Sequence, residues 1–240
     1  MPDYALGFWQ CKLRYRTQDE ILTVAREFQR RKLSLAVIFV DTFHWPTQGD
    51  CRFDRNFFPD PKKMIEELDS VNVKLLVSIW PTVDPRSENY AKTTERGMLI
   101  TVDRGIRIAM DVMGNTVYAD FTNPSTSDYV WDIVKKNYWD LGAHEAEPEY
   151  SKYDFSQYRY HLGPNLAIGN IHPLKYAQAF WEGQQKAGQK SGEIVNLIRC
   201  AWAGSQKFGT LVWSGDIASS WSSFRSQLAA GLNMGMSGIP

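Results

Sequence analysis

Along this chain, short apolar runs alternate with stretches whose apolar residues recur every three or four positions. That alternation predicts repeated βα units around a parallel sheet. Residues 4–9 read as a first strand. Residues 17–31 have helical spacing, opened by Thr17 with Glu20 three positions on, the arrangement of a capping box. Residues 35–40 are almost continuously apolar, as a strand buried on both faces must be, and the run ends at Asp41. A second helix is predicted from Pro61, followed by a strand over residues 73–80 that Pro81 closes.

The pattern then weakens. Residues 82–121 form a long excursion containing Pro85, Gly97, Gly105 and Gly114, and loops of that length inside a domain are usually functional or disordered. A helix is predicted over residues 124–140 and a second irregular stretch over 142–173. A helix over 174–186, strands over 194–199 and 210–213, and a last helix over 220–232 complete the chain. No internal repeat or low-complexity tract is visible. The fold class is α/β, a (β/α)8 TIM barrel occupying residues 1–240 as one domain. A dinucleotide-binding sheet would share the βα alternation, but no glycine fingerprint follows the first strand.

Composition narrows the function without naming it. The 240 residues approach the roughly 250 typical of such barrels, and 27 basic residues balance 27 acidic ones, so charge implies neither a nucleic acid nor an anionic membrane partner. Cys11, Cys51 and Cys200 are too scattered for a disulfide framework. No Cys/His cluster has zinc spacing, and His44, His144, His161 and His172 are arranged neither for a metal nor for a Ser/His pair. The amino terminus lacks the basic start and apolar run of a signal peptide, and no segment has the length of a membrane span, so the chain as written is expected to be soluble and cytoplasmic.

Candidate chemistry concentrates between Arg199 and Asp216, where two short apolar segments are each followed by Trp, Gly and Ser. In an α/β barrel the strand ends converge on one mouth, where charged groups and the nine Trp of this chain could meet a sugar. Plainer readings stand beside this one. Asp216 suits a helix N-cap before Ile217, Asp41 a turn cap, Arg199 a surface charge, and Trp80 and Trp213 the core.

Several blocks in colinear order resemble glycoside hydrolase family 31, the α-glucosidases and α-xylosidases, and are most similar to the α-xylosidase-like branch. They are Ala-Leu-Gly-Phe-Trp-Gln at 5–10, Asp-Thr-Phe-His-Trp at 41–45, residues 58–61 and 121–124, and Glu-Ala-Glu-Pro-Glu-Tyr at 145–150. Residues 199–206, Trp-Ser-Gly-Asp at 213–216 and the tail at 230–240 complete the set. The resemblance implies retaining hydrolysis of an α-linked xyloside or glucoside by two carboxylates, with no cofactor. It makes Asp216 the general acid/base, Arg199 and Asp41 groups that hold the sugar, and Trp80 and Trp213 aromatic walls of its pocket.

The chain also departs from that pattern. In relatives a buried strand, roughly Phe-Trp-Leu-Asp, precedes Glu-Ala-Glu-Pro-Glu, and its last Asp is the nucleophile. Here Leu141-Gly142 is followed by Ala143-His144 and then directly by Glu145. The expectation is an incomplete barrel: the fourth strand deleted together with the attacking carboxylate, and the C-terminal strands truncated after Pro240. Glu145 is the nearest candidate to replace the nucleophile. A sugar-binding or structural remnant without turnover is the alternative.

Overall fold

A computed structural model describes residues 1–41, 43–102, 110–111, 115–146 and 157–239. The chain runs through β1 (Trp9–Lys12), α1 (Gln18–Arg30), β2 (Val37–Val40), α2 (Pro61–Ser70) and β3 (Lys74–Ser78). An excursion follows, with β4 (Thr82–Val83), α3 (Tyr90–Glu95), β5 (Thr101–Val102), β6 (Met110–Asp111) and β7 (Asn115–Tyr118). After α4 (Pro124–Asn137) come β8 (His144–Ala146), β9 (Tyr158–Tyr160), β10 (Gly163–Pro164), α5 (Asn165–Ile168), α6 (His172–Lys186), β11 (Asn196–Ile198), β12 (Thr210–Val212) and α7 (Trp221–Met236).

The helices begin where side chains can satisfy their first amide groups. Thr17 accepts from the Glu20 amide at α1, and Asp60 accepts from the Lys63 amide ahead of Pro61 at α2. Asn123 and Ser220 do the same for α4 and α7. Each such cap contributes about 1 kcal/mol.

β1, β2, β3, β8, β11 and β12 pair in that order into a six-stranded parallel sheet. Side chains alternate across it. Ile38, Val40, Leu75 and Val77 join the large core with Ile21 of α1, Met64 of α2, Trp131 of α4 and Phe180 of α6. Val37, Phe39 and Leu76 form a separate cluster on the other face, with Trp9 and Leu197 against it. The helices thus cover one face, and the strand ends are left to build the mouth.

Three expectations are corrected. Residues 3–6 form a 3-10 turn, and the first strand lies further on, at Trp9–Lys12. The apolar run at Tyr4 to Leu6 misled because Leu6 is exposed, while an edge strand such as β1 tolerates Gln10 and Lys12. The fourth strand is not deleted: β8 pairs with β3 on one side and β11 on the other. Ladder hydrogen bonds use the backbone groups that every non-proline residue carries, and the facing edges of β3 and β11 would otherwise bury unpaired ones. The excursions are not loops throughout. β4, β7 and β6 form an antiparallel sheet, and β5 in the first excursion pairs with β9 in the second, fastening the two together.

Among the described residues the parallel sheet ends at β1 and β12, two strands fewer than the eight of a closed barrel. α7 buries no residue, and Trp221, Phe224, Leu228, Leu232 and Met236 line one exposed stripe at helical spacing.

Two outcomes follow from this packing. A β-carbon at Gly183 of α6 would overlap the Trp131 ring of α4. Gly183→Ala should therefore lower stability by about 1–3 kcal/mol in denaturant unfolding, and no loss would mean that the helices lie further apart. The α7 stripe should drive concentration-dependent self-association in sedimentation velocity, which Phe224→Glu with Leu228→Glu should abolish. A monodisperse monomer before substitution would show the stripe to be harmless.

Candidate active site

All five sequence-predicted site residues lie just beyond the C-terminal ends of parallel strands. Asp41 follows Val40 of β2, Trp80 stands two residues after β3, Arg199 follows Ile198 of β11 and Trp213 follows Val212 of β12, with Asp216 three residues further on. The structure gathers them into two groups.

Arg199, Trp213 and Asp216 make the first group. Arg199 donates through Nη2 to Asp216 Oδ2 at 3.0 Å, and its guanidinium carbon stands 5.2 Å from the centre of the Trp213 ring. Adjacent parallel strands pair Ile198 with Val212, so the residues after them emerge side by side. The Arg199 side chain is 11% exposed and the Asp216 side chain 76%. A charge-assisted bond and a ring face thus hold the guanidinium, while the carboxylate stays open to water. The indole N–H of Trp213 is buried without a hydrogen-bond partner among the described residues, a donor in need of an acceptor.

Asp41 and Trp80 belong to the second group, and residues that sequence reasoning did not single out for the site connect them. Trp80 is buried, donates from Nε1 to Ser78 Oγ at 3.0 Å and meets Trp45 edge-on at 6.0 Å between ring centres. Its neighbour His44 is fully buried. His44 Nδ1 lies 3.0 Å from the Asp41 carbonyl oxygen and Nε2 2.9 Å from the Tyr138 hydroxyl. A carbonyl can only accept, so Nδ1 carries the proton and donates, and Nε2 accepts from the tyrosine. Burial pushes the His44 pKa down to about 4, against the smaller upward pull of the Asp41 carbonyl. It also drives the Tyr138 hydroxyl well above its ordinary value. The signal available in sequence was the His-Trp pair three residues after the Asp that follows β2.

Glu145 lies in β8, in register with Val77, while His144 is in register with Leu76 and Ala146 with Ser78. Val77 packs among the helices and Leu76 in the cluster on the opposite face. Residues 147–150 of the Glu-Ala-Glu-Pro-Glu-Tyr block, and Thr42 of the block at 41–45, lie outside the described residues.

The chain is similar to known proteins over its whole length. The model of the glycosyl hydrolases family 31 TIM-barrel domain matches residues 1–240. A family 31 glucosidase of Pseudescherichia vulneris is 54% identical over 244 residues, covering 100% of this chain and 46% of the relative. An alpha-xylosidase of Saccharolobus solfataricus is 34% identical over 252 residues, covering 100% of this chain and 32% of the relative. The chain therefore spans less than half the length of these curated relatives. Among solved structures, a GH31 alpha-xylosidase from a soil metagenome, complexed with xylose, superposes with a TM-score of 0.94 at 57% identity, covering 100% of this chain and 36% of that one. A GH31 dextranase of Flavobacterium johnsoniae, complexed with isomaltotriose, gives 0.92 at 26% identity, covering 100% and 31%.

The buried histidine makes stability depend on pH. In the unfolded chain His44 takes up a proton near its ordinary value of 6.5, whereas in the fold it does so only near 4. Its contribution is therefore complete above about pH 6.5 and is lost as pH falls toward 4, at most about 3 kcal/mol at roughly 1.36 kcal/mol per unit. Unfolding free energies between pH 7 and pH 4.5 should fall more steeply for the native chain than for His44→Asn. Equal slopes would show that His44 protonates freely in the fold.

Proposed function

The chain belongs to glycosyl hydrolase family 31, and we propose that its site recognises an α-linked xyloside or glucoside for retaining hydrolysis, with Asp216 as general acid/base. The observation that carries this is the cluster of Arg199, Trp213 and Asp216 at the ends of adjacent strands. The Arg199 guanidinium stands where it would meet sugar hydroxyls, the Trp213 face suits the apolar side of a pyranose, and the indole N–H, buried without an acceptor among the described residues, fits a hydroxyl. Asp41 holds hydroxyls of the same sugar ring, and Trp80 forms an aromatic wall.

In the retaining reaction one carboxylate attacks the anomeric carbon while Asp216 gives its proton to the departing glycosidic oxygen. Asp216 then takes a proton from the water that releases the sugar. The bond between Asp216 and Arg199 sets the carboxylate beside the guanidinium that would hold the sugar.

We place the deficit of this chain at the nucleophile. The Asp that ends the corresponding strand in the family pattern has no counterpart before Glu145. Glu145 pairs through its backbone with Val77 within β8, and we do not assign it the attack. The two carboxyls of a retaining site must stand about 5 Å apart, and small displacements cost about a hundredfold in rate. The chain as it stands thus binds α-glycosides without efficient turnover. Metal and cofactor have no part in this scheme, and the choice between xylose and glucose turns on the space beside the sugar's C6 position.

The test is hydrolysis of aryl α-xylosides and α-glucosides by the native chain and by a chain with Phe-Trp-Leu-Asp inserted before Glu145, each with an Asp216→Asn counterpart. Saturable binding with no turnover by the native chain, and turnover by the restored chain that Asp216→Asn removes, is the expected result. Activity of the native chain that Asp216→Asn abolishes would mean that another carboxylate has taken over the attack. Absence of binding to either glycoside by the folded native chain would overturn the assignment of the site.

A further inference from the structure

His44 is a buried ionisable side chain that the proposed reaction leaves without a task. A phenyl ring would fill the space between Trp45, Phe53 and Tyr138 without two polar nitrogens to satisfy, yet both nitrogens of His44 are paired. The pairs lead to particular places. Nδ1 holds the carbonyl of Asp41, and Nε2 accepts from Tyr138, 94 positions along the chain. Tyr138 in turn accepts, at its own carbonyl, from the amide groups of Leu141 at 3.0 Å and Ala143 at 3.1 Å, immediately before β8. A chain of hydrogen bonds thus runs from the mouth of β2 to the entry of β8.

The backbone just before His44 requires such a brace. Phe43 has φ +66°, in the left-handed region that a bulky residue adopts only when its surroundings hold it there. The ring of His44 closes this turn through Asp41. The main chain of His44 is itself held, its carbonyl accepting from the Asp54 amide at 2.7 Å. Holding the Asp41 carbonyl restrains the main chain at the end of β2, from which the Asp41 side chain departs.

We propose that His44 is a positioning residue: its neutral imidazole, oriented by Tyr138, clamps the Asp41 carbonyl and so sets the Asp41 carboxylate for the sugar. This rests on the assignment of Asp41 to sugar binding. Because the imidazole acts through Asp41, its effect on affinity exists only while the Asp41 carboxylate does. Ordinary core packing would instead act on the fold, whichever residue stands at 41.

Calorimetric binding of an aryl α-xyloside to the full chain separates these. Gln at 44 offers its amide near the place of Nε2 and leaves the Asp41 carbonyl unheld, whereas Asn places a donor near Nδ1. His44→Gln should weaken binding about five- to tenfold, the size of one lost hydrogen bond, and His44→Asn should recover most of that loss. Combined with Asp41→Asn, His44→Gln should add little to the loss that Asp41→Asn causes alone. If His44→Gln does not fold, Tyr138→Phe, which removes one oxygen, should weaken binding by a smaller factor and lose that effect beside Asp41→Asn. Native affinity in the folded His44→Gln chain, or losses that multiply in the double variant, would overturn the proposal. Should Asp41→Asn bind as the native chain does, the assignment of Asp41 fails first and the role of His44 with it.

Discussion

Everything in the site depends on the in-register pairing of parallel strands. β2 and β3 pair Val40 with Val77, and β11 and β12 pair Ile198 with Val212, so the residues that follow leave the sheet at one pole. The hydrogen bonds that do this are backbone bonds, indifferent to the side chains they carry forward. The apolar alternation selects the register, because a slip of one residue would send Phe39 into the helix-facing layer and Val40 out of it. Packing on one side of the sheet thereby fixes where charged groups stand at its end, although none of those groups takes part in the packing.

Sequence and structure agree where a residue's fate is decided locally. The continuous apolar runs of β2 and β3, the Thr17 cap, and the periodic faces of α1 and α4 are all readable without a partner in view. Agreement fails where the partner decides. β5 is two residues long and exists because β9, far along the chain, pairs with it. β1 is an edge strand with no apolar signature, and the apolar residues before it lie in a turn. The site divides the same way. Arg199, Trp213 and Asp216 lie close enough in sequence to be read together, whereas the contact between His44 and Tyr138 crosses the chain and belongs to no local pattern.

β8 shows how little a strand position reveals about its chemistry. His144-Glu145-Ala146 has none of the β-branched or aromatic residues that mark a strand, yet it is hydrogen-bonded between β3 and β11. Two neighbouring strands with unpaired edges create a place that any short extended segment can fill. The fold therefore accommodates this segment through its backbone alone. A carboxylate missing there, as proposed, would be invisible to the backbone ladder and decisive for covalent attack on an anomeric carbon.

The two halves of the site are also held by unequal means, and the inequality suits their tasks. Asp41 and Trp80 are tied into buried contacts through His44 and Trp45, in surroundings from which water is largely excluded. Such contacts are costly to break because each buried polar atom would lose its partner. Among the described residues Asp216 is held by an ion pair at an exposed carboxylate, and pairs of that kind contribute about 0–1 kcal/mol in water. In the proposed reaction a sugar would meet the Asp41 side as it finds it, so recognition would rest on the half that is built before the ligand arrives. Proton transfer would rest on the half whose carboxylate stands open to water, where a leaving oxygen can reach it.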